Sequence, residues 1–336
     1  MKLFDRPQAL LEDRILVRRR GWLFFRKPLM IAQTVVLLAF SAEVFSQPIK
    51  LGYAALTAGQ VAPWMAKEAG YFSKYGIEAE LIYIPAVAAT QALIAGEIQL
   101  AQVTGVSTSG AILAGADVRI IASVQDRLAG SIYARPEIKT PEDLKGKKLG
   151  IATIRGTDSI VAEELLRSKG FNPNQLQQIV IGDTALRAQA LMTGVVQAVS
   201  LSPPHDLLLK NLGYNILAGP PEVGLPASGL FTSNRLLKEN PQVVNRSLRA
   251  VLRANRFIAA NRQETIAVMS KWLAQTQEVA GQSYDVELKA LTKDGQMTDA
   301  ELESLIDRLG EKKAALDGVR DFNPIRQAIK ELDTKQ

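Results

Sequence analysis

The chain of 336 residues contains no cysteine and a single histidine, His205. The first absence excludes disulfides, thiolate zinc sites, iron–sulfur clusters, a cysteine nucleophile and a lipid-modified N-terminal cysteine. The second excludes any metal site or catalytic set that needs two imidazoles. Aromatic residues make up only 6% of the chain, so a core has to be built largely from alanine, valine, isoleucine and leucine. The sequence also lacks a Gly-x-Ser-x-Gly elbow and a Gly-Lys-Ser/Thr phosphate loop. These gaps remove the commonest nucleophilic and phosphoryl-transfer chemistries.

What is present is ordinary globular material: 47% hydrophobic and 22% charged residues, with 24 glycines and 15 prolines. At ~100 to 200 residues per domain, the length suggests two domains. The N-terminus is of a different kind. Arg14, Arg18, Arg19, Arg20, Arg26 and Lys27 precede Leu29–Phe40, an apolar stretch interrupted only by Gln33 and Thr34. This is the pattern of an export signal over residues 1–46, with cleavage after Val44-Phe45-Ser46. A spanning helix needs ~20 apolar residues and this one soon meets Glu43, so a retained membrane anchor is the alternative reading. Arg19-Arg20-Gly21-Trp22-Leu23 faintly resembles a twin-arginine signal. Residues 1–46 hold eight of the 40 basic and four of the 34 acidic residues, which leaves 32 against 30 in the remainder. With no basic cluster among aromatics, nucleic-acid binding loses its support.

From Ile49 onward, short apolar runs alternate with helical stretches: Ile49–Tyr53, Val61–Ala69, Ile77–Ile84, Ala88–Ala95, Leu100–Val103 and Val106–Ala114. This βα rhythm predicts a parallel sheet. It restarts at Lys148–Ile151 and runs through Thr157–Ser168, Gln178–Ile181, Thr184–Met192, Ala198–Leu201, Asp206–Leu212 and Tyr214–Leu217. At an offset of 98 residues, Leu51-Gly52 and Ala54 meet Leu149-Gly150 and Ala152, while Gln91-Ala92-Leu93, Gly96 and Gln99 meet Gln189-Ala190-Leu191, Gly194 and Gln197. Either the halves are a repeat or both obey the same βαβ grammar; both versions give two similar lobes. After Ser233 the periodicity predicts helices over Asn234–Asn240, Pro241–Ala260, Gln263–Thr276, Tyr284–Thr292, Asp299–Leu309 and Pro324–Leu332. The expected organisation is a first lobe of residues 47–127 and 225–336 around a second lobe of residues 128–224.

In such sheets ligands bind at the loops after the carboxyl ends of strands, where helix N-termini offer backbone donors. Three loops have suitable residues: Ala55–Gln60 with Thr57, Gly59 and Gln60; Thr104–Ser109 with Gly105 and Ser107; and Thr153–Ser159 with Arg155, Thr157, Asp158 and Ser159. They suit an anionic group, although Thr, Ser and Asp also begin helices simply as caps. Arg155 is either an anion partner or solvated. Trp64 reads as core, His205 as a cap or surface residue, and Glu163, Glu164, Asp126 and Asp183 as surface charges or caps.

Several phrases carry a family resemblance: Leu51-Gly52-Tyr53, Ala69-Gly70-Tyr71-Phe72 with Tyr75-Gly76-Ile77, Gln91-Ala92-Leu93 with Gly96-Glu97, and above all Thr140-Pro141-Glu142-Asp143-Leu144-Lys145-Gly146-Lys147-Lys148-Leu149-Gly150. The chain resembles the substrate-binding proteins of nitrate/sulfonate/taurine-type ABC importers, which are also similar to fungal thiamine-pyrimidine synthases. The resemblance implies a type II periplasmic binding fold: two α/β lobes, joined by two crossover segments, that close over a small solute. It implies a site lined by Thr57–Gln60, Thr104–Ser107, Arg155–Ser159 and Asp183. It further implies a monomer that needs no cofactor, works in the periplasm and delivers a sulfonate, nitrate, taurine, pyrimidine or carboxylate to a permease and its ATPase. The fungal synthases use a cysteine-rich segment that this chain lacks. The alternatives are a lyase or synthase of the same fold, with Asp126, Asp158 or Asp183 as base, and a sensor tethered by residues 1–46.

Overall fold

A computed structural model describes residues 48–127, 130–219, 228–308 and 316–334, with the side chains of Thr104, Val106 and Ser107 excepted. The expected export segment lies outside the described residues. Ten strands are present: β1 (Ile49–Tyr53), β2 (Ala79–Tyr83), β3 (Leu100–Thr104), β4 (Val118–Gln125), β5 (Ser131–Ala134), β6 (Lys148–Ile151), β7 (Gln177–Val180), β8 (Ala198–Leu201), β9 (Asn215–Ala218) and β10 (Ser228–Ser233). They form two five-stranded sheets, ordered β2-β1-β3-β10-β4 and β7-β6-β8-β5-β9. The chain therefore passes between sheets twice, over residues 126–130 and 219–227.

Those passages correct the expectation of purely parallel sheets. β1 runs parallel to β2 and β3, and β6 runs parallel to β7 and β8. β10 is antiparallel to β3 and β4, and β5 is antiparallel to β8 and β9. The segments leading into the inserted strands span only residues 126–130 and 219–227, shorter than the crossover of about a dozen or more residues that a parallel neighbour requires, so each strand enters its sheet in the opposite sense.

The helices between strands are α1 (Val61–Glu68), α2 (Tyr71–Lys74), α3 (Ala86–Ala95), α4 (Gly105–Leu113), α5 (Thr157–Ser168), α6 (Thr184–Met192) and α7 (His205–Asn211). The offset of 98 residues survives in hydrogen bonds as well as in sequence. Lys50 N donates to Gln99 Oε1 at 2.8 Å, and Lys148 N donates to Gln197 Oε1 at 3.2 Å. Leu51 faces Leu100 across the first sheet as Leu149 faces Ala198 across the second. α3 and α6 both give way to a glycine with left-handed backbone, Gly96 at φ 77° and Gly194 at φ 80°. A glycine reverses the chain there without the Cβ clash of other residues.

The remaining helices are α8 (Asn234–Glu239), α9 (Pro241–Ala260), α10 (Arg262–Leu273), α11 (Gln277–Glu287), α12 (Asp299–Arg308), α13 (Leu316–Val319) and α14 (Asn323–Asp333). α9 starts with Asn240 accepting from Val243 N at 3.3 Å and with Pro241 in its first turn, where no amide donor is missed. It buries Val244, Leu248, Val251, Leu252, Asn255 and Ile258 at helical spacing. These side chains join the core of the first sheet, whereas the second sheet has a separate apolar cluster on each face.

One helix is displaced from its expected place. Periodicity puts it at Tyr284–Thr292, but α11 occupies Gln277–Glu287 and Thr276, expected to close the previous helix, caps it by accepting from Val279 N at 3.3 Å. Gly281 in the middle of α11 argues against a helix on propensity alone. The packing explains it: a Cβ on Gly281 would lie 3.5 Å from Ile266 Cδ1, so α11 sits close against α10. Beyond α11 the chain follows β4, with Asp126 N donating to Ala290 O and Thr292 N to Val124 O.

Trp64 is fully buried on α1, stacked on Trp272 at 5.4 Å and edge-on to Tyr53 at 5.6 Å. It is a core residue and does not line the cavity described below. Trp64→Ala is expected to lower unfolding free energy by about 3–5 kcal/mol in urea titrations. Solute affinity of the folded variant should stay unchanged; a lost affinity at native stability would place Trp64 in the site instead.

Candidate functional site

A cavity of about 340 Å³ lies where both sheets end. Its walls come from segments after β1, β2, β6, β7 and β8, together with Gln125 at the end of β4, Ser228 at the start of β10 and Glu287 at the end of α11. The parallel strands point their carboxyl ends at it from both lobes, the arrangement that directs helix N-termini toward a ligand. Hydrogen bonds between described residues join the lobes. Tyr83 OH donates to Asp183 Oδ2 at 2.9 Å, and Ala58 N donates to Pro203 O at 3.0 Å.

The first lobe contributes Thr57, Gly59 and Gln60 from the turn after β1. Thr57 occupies a cap position without a side-chain cap bond. Gly59 packs closely on Gln125: a Cβ there would come within 2.9 Å of the Gln125 side-chain amide and push it aside. Gln60 is buried, and its Oε1 has no hydrogen-bond partner. Beside it, Gln125 Nε2 donates to Glu287 Oε1 at 2.7 Å, and Glu287 is only 1% exposed. Burial raises the Glu287 carboxyl to about 8, opposed only by the Gln125 bond, so at neutral pH this wall is uncharged.

The second lobe contributes Thr157, Asp158, Asp183, Thr184 and Arg187, among others. Arg187 Nη1 donates to Asp158 Oδ2 at 2.7 Å, and the same oxygen accepts from Ala152 N at 2.7 Å. Burial pushes the guanidinium's pKa downward while Asp158 and Asp183 oppose that shift. Asp183 caps α6 by accepting from Ala185 N at 2.8 Å, and also receives the Tyr83 hydroxyl from the opposite lobe. Burial and that contact raise Tyr83 to about 12.

Thr57, Gly59, Gln60, Thr157, Asp158 and Asp183 thus share the cavity wall. Arg155 is exposed, with left-handed backbone at φ 57°, and Ser159 is buried with Oγ donating to Gly156 O at 2.9 Å; neither lines the cavity. Gly105 begins α4 away from the wall, and the side chains of Thr104 and Ser107 lie outside the described residues. His205 is half-buried rather than on the surface, and the cap of α7 is Pro204. Gln125, Arg187 and Glu287 escaped the sequence reading. Arg187 had a signal, because it lies one turn after Asp183, itself at a strand end; Glu287 had none, because its helix was displaced. Among the described residues no group of His, Asp and Glu is arranged to hold a metal ion.

The folded state keeps the Glu287 proton up to about pH 8, whereas an ordinary glutamate releases it near 4.5. Folding therefore takes up a proton between these values, and stability falls as pH rises through them. Asp206, raised to about 7 by burial, acts with the same sign; His205, lowered by burial, acts with the opposite sign only below its ordinary 6.5. From pH 6.5 to 8 urea midpoints should decline. Glu287→Gln is expected to flatten that decline by up to about 1.4 kcal/mol per pH unit. Parallel curves for the two proteins would contradict a protonated Glu287.

Sequence relatives and solved structures agree with this architecture. A protein of Brucella abortus (strain 2308) is 26% identical over 264 residues, 74% of this chain and 81% of that one. The riboflavin-binding protein RibY of Chloroflexus aurantiacus is 23% identical over 248 residues, 70% of each. The fold is that of the alkanesulfonate-binding protein SsuA of Xanthomonas axonopodis pv. citri, with TM-score 0.67, 16% identity and coverage of 84% of this chain and 97% of that one. The nitrate-binding protein NrtA of Synechocystis PCC 6803 gives TM-score 0.69, 17% identity and coverage of 85% and 89%. The desulfurization enzyme DSZB shares the fold at TM-score 0.58 and 14% identity, over 84% of this chain and 99% of that one. The architecture is the type II periplasmic binding fold. The family model described as NMT1/THI5 like matches residues 60–265, from the turn carrying Gln60 through the whole second sheet into α10, and the chain belongs to that family.

Proposed function

We propose that the protein is the exported solute-capturing component of an ABC importer, closing its two lobes over a small molecule and delivering it to a membrane permease. The observation that carries this reading is the cavity at the strand ends of both lobes, spanned by the Tyr83–Asp183 and Ala58–Pro203 hydrogen bonds. Opening the lobes breaks both bonds, so the open and closed states differ by a few polar contacts, a gap that a solute touching both walls can tip. The relatives named for sulfonate, nitrate and riboflavin support a solute-binding role and differ widely in what they hold.

In this proposal residues 1–46 are removed on export, and the mature chain works in the periplasm as a monomer. With no cysteine in the sequence, no lipid is attached through one. Residues 47–127 and 225–336 form the first lobe and residues 128–224 the second. Thr57, Gly59, Gln60, Gln125, Asp158, Asp183, Arg187 and Glu287 face the solute. No catalytic step is assigned to them.

The test is a thermal-shift screen of the purified full chain against sulfonates, nitrate, carboxylates, amides and heterocycles, followed by chromatography of each hit after incubation. A solute at 100 times its Kd is expected to add about 2.7 kcal/mol of stability and to be recovered unchanged. Consumption of a hit would overturn the transport role in favour of an enzyme. Fractionation of an expressing Gram-negative host should find the protein in the periplasm with Gln47 at its N-terminus. Retention of the whole chain in the membrane fraction would favour the tethered sensor.

A further inference from the structure

The distribution of charge around the cavity narrows the solute class, an inference that rests on the solute-binding role proposed above. Among the described lining residues Arg187 is the one cation, and its guanidinium is committed to Asp158 at 2.7 Å in a setting where Arg187 is only 5% exposed. Asp183 lines the same side and uses its oxygens on Ala185 N and Tyr83 OH. An anion entering here meets a guanidinium already paired with Asp158 and flanked by a second carboxylate, Asp183, so its desolvation is poorly repaid.

The first-lobe wall has the opposite character. Gln60, Gln125 and Glu287 are all buried and line the same cavity: α11 packs on the turn at residues 58–60, Gln125 approaches Gly59, and Gln125 bonds Glu287. Gln60 Oε1 is an acceptor without a partner. Glu287 accepts from Gln125 through Oε1, which leaves Oε2 to carry the proton that burial retains, a donor. This wall therefore presents amide, hydroxyl and carboxyl groups, none of them ionised. The space of about 340 Å³ holds roughly a dozen waters at the ~30 Å³ each occupies in the liquid, far more than a nitrate-sized ion fills.

We infer that the cavity takes an uncharged solute larger than a simple oxyanion, bearing a hydrogen-bond donor and acceptor on one edge as amides, lactams and ureides do, and that it discriminates against free anions. Such an edge lies against the wall to which Gln60, Gln125 and Glu287 belong.

The test uses matched pairs that differ in charge and little in shape: nicotinamide and nicotinate, uracil and orotate, methanesulfonamide and methanesulfonate, with nitrate as a further anion. Melting shifts of the full chain at pH 7 are expected to be larger for the uncharged member, with affinity at least tenfold tighter. Gln60→Ala should weaken that affinity about tenfold while the unliganded melting temperature stays the same. Asp158→Asn, which releases Arg187, should gain a response to the anionic members. If this variant does not fold, the native chain and Gln60→Ala decide the matter. A native chain stabilised more by the anions overturns the solute class and leaves the importer role standing. A native chain that responds to no compound in either set overturns both.

Discussion

Two inserted strands, β5 and β10, hold the molecule to a single cavity. Each arrives from the opposite lobe and lies antiparallel within its new sheet, between strands that run the other way. Both sheets receive such a strand. The carboxyl ends of the parallel strands then face each other rather than opposite directions. Everything that lines the cavity follows from this: the turns after β1 and β2 meet those after β6, β7 and β8.

The polar interior is organised by lobe. On the second-lobe wall Asp158 pairs with the Arg187 guanidinium and accepts from Ala152 N, while Asp183 accepts from Ala185 N, which is how charges survive partial burial. On the first-lobe wall burial has instead kept Glu287 protonated and set it among glutamines. The inter-lobe bond from Tyr83 to Asp183 joins these regions. Asp183 is thus helix cap, lobe contact and cavity wall together. Separating the lobes removes one of those three roles and leaves the cap intact.

Much of this was legible before any coordinates. The alternation of short apolar runs and helical segments located the strands and the helices between them, and the offset of 98 residues matched Gln99 with Gln197, which in the structure accept equivalent bonds from Lys50 N and Lys148 N. Thr57, Gly59, Gln60, Thr157 and Asp158 were visible as residues of loops just past strand ends, Asp183 entered only through the family resemblance, and all line the cavity. Arg155 was visible for the same reason and lies outside it, since a loop residue's position does not fix the direction of its side chain. The antiparallel sense of β5 and β10 was not legible, because strand direction depends on where the previous segment ended rather than on local composition.

By itself the sequence determined the class of fold, the doubling of the lobes and the loops that could meet a solute, because periodicity, caps and turns are properties of neighbouring residues. Only the tertiary structure decided the chemistry of the cavity. Glu287 is more than 200 residues from Gln60 and 162 from Gln125, and only the packing of α11 on α10 and the first-lobe turn puts the three together. Arg187 and Asp158 lie 29 residues apart on successive helices, and their pairing cancels the charge that either would show alone. Burial and partner choice set the charge of a group, and both are long-range properties that no local stretch of sequence contains.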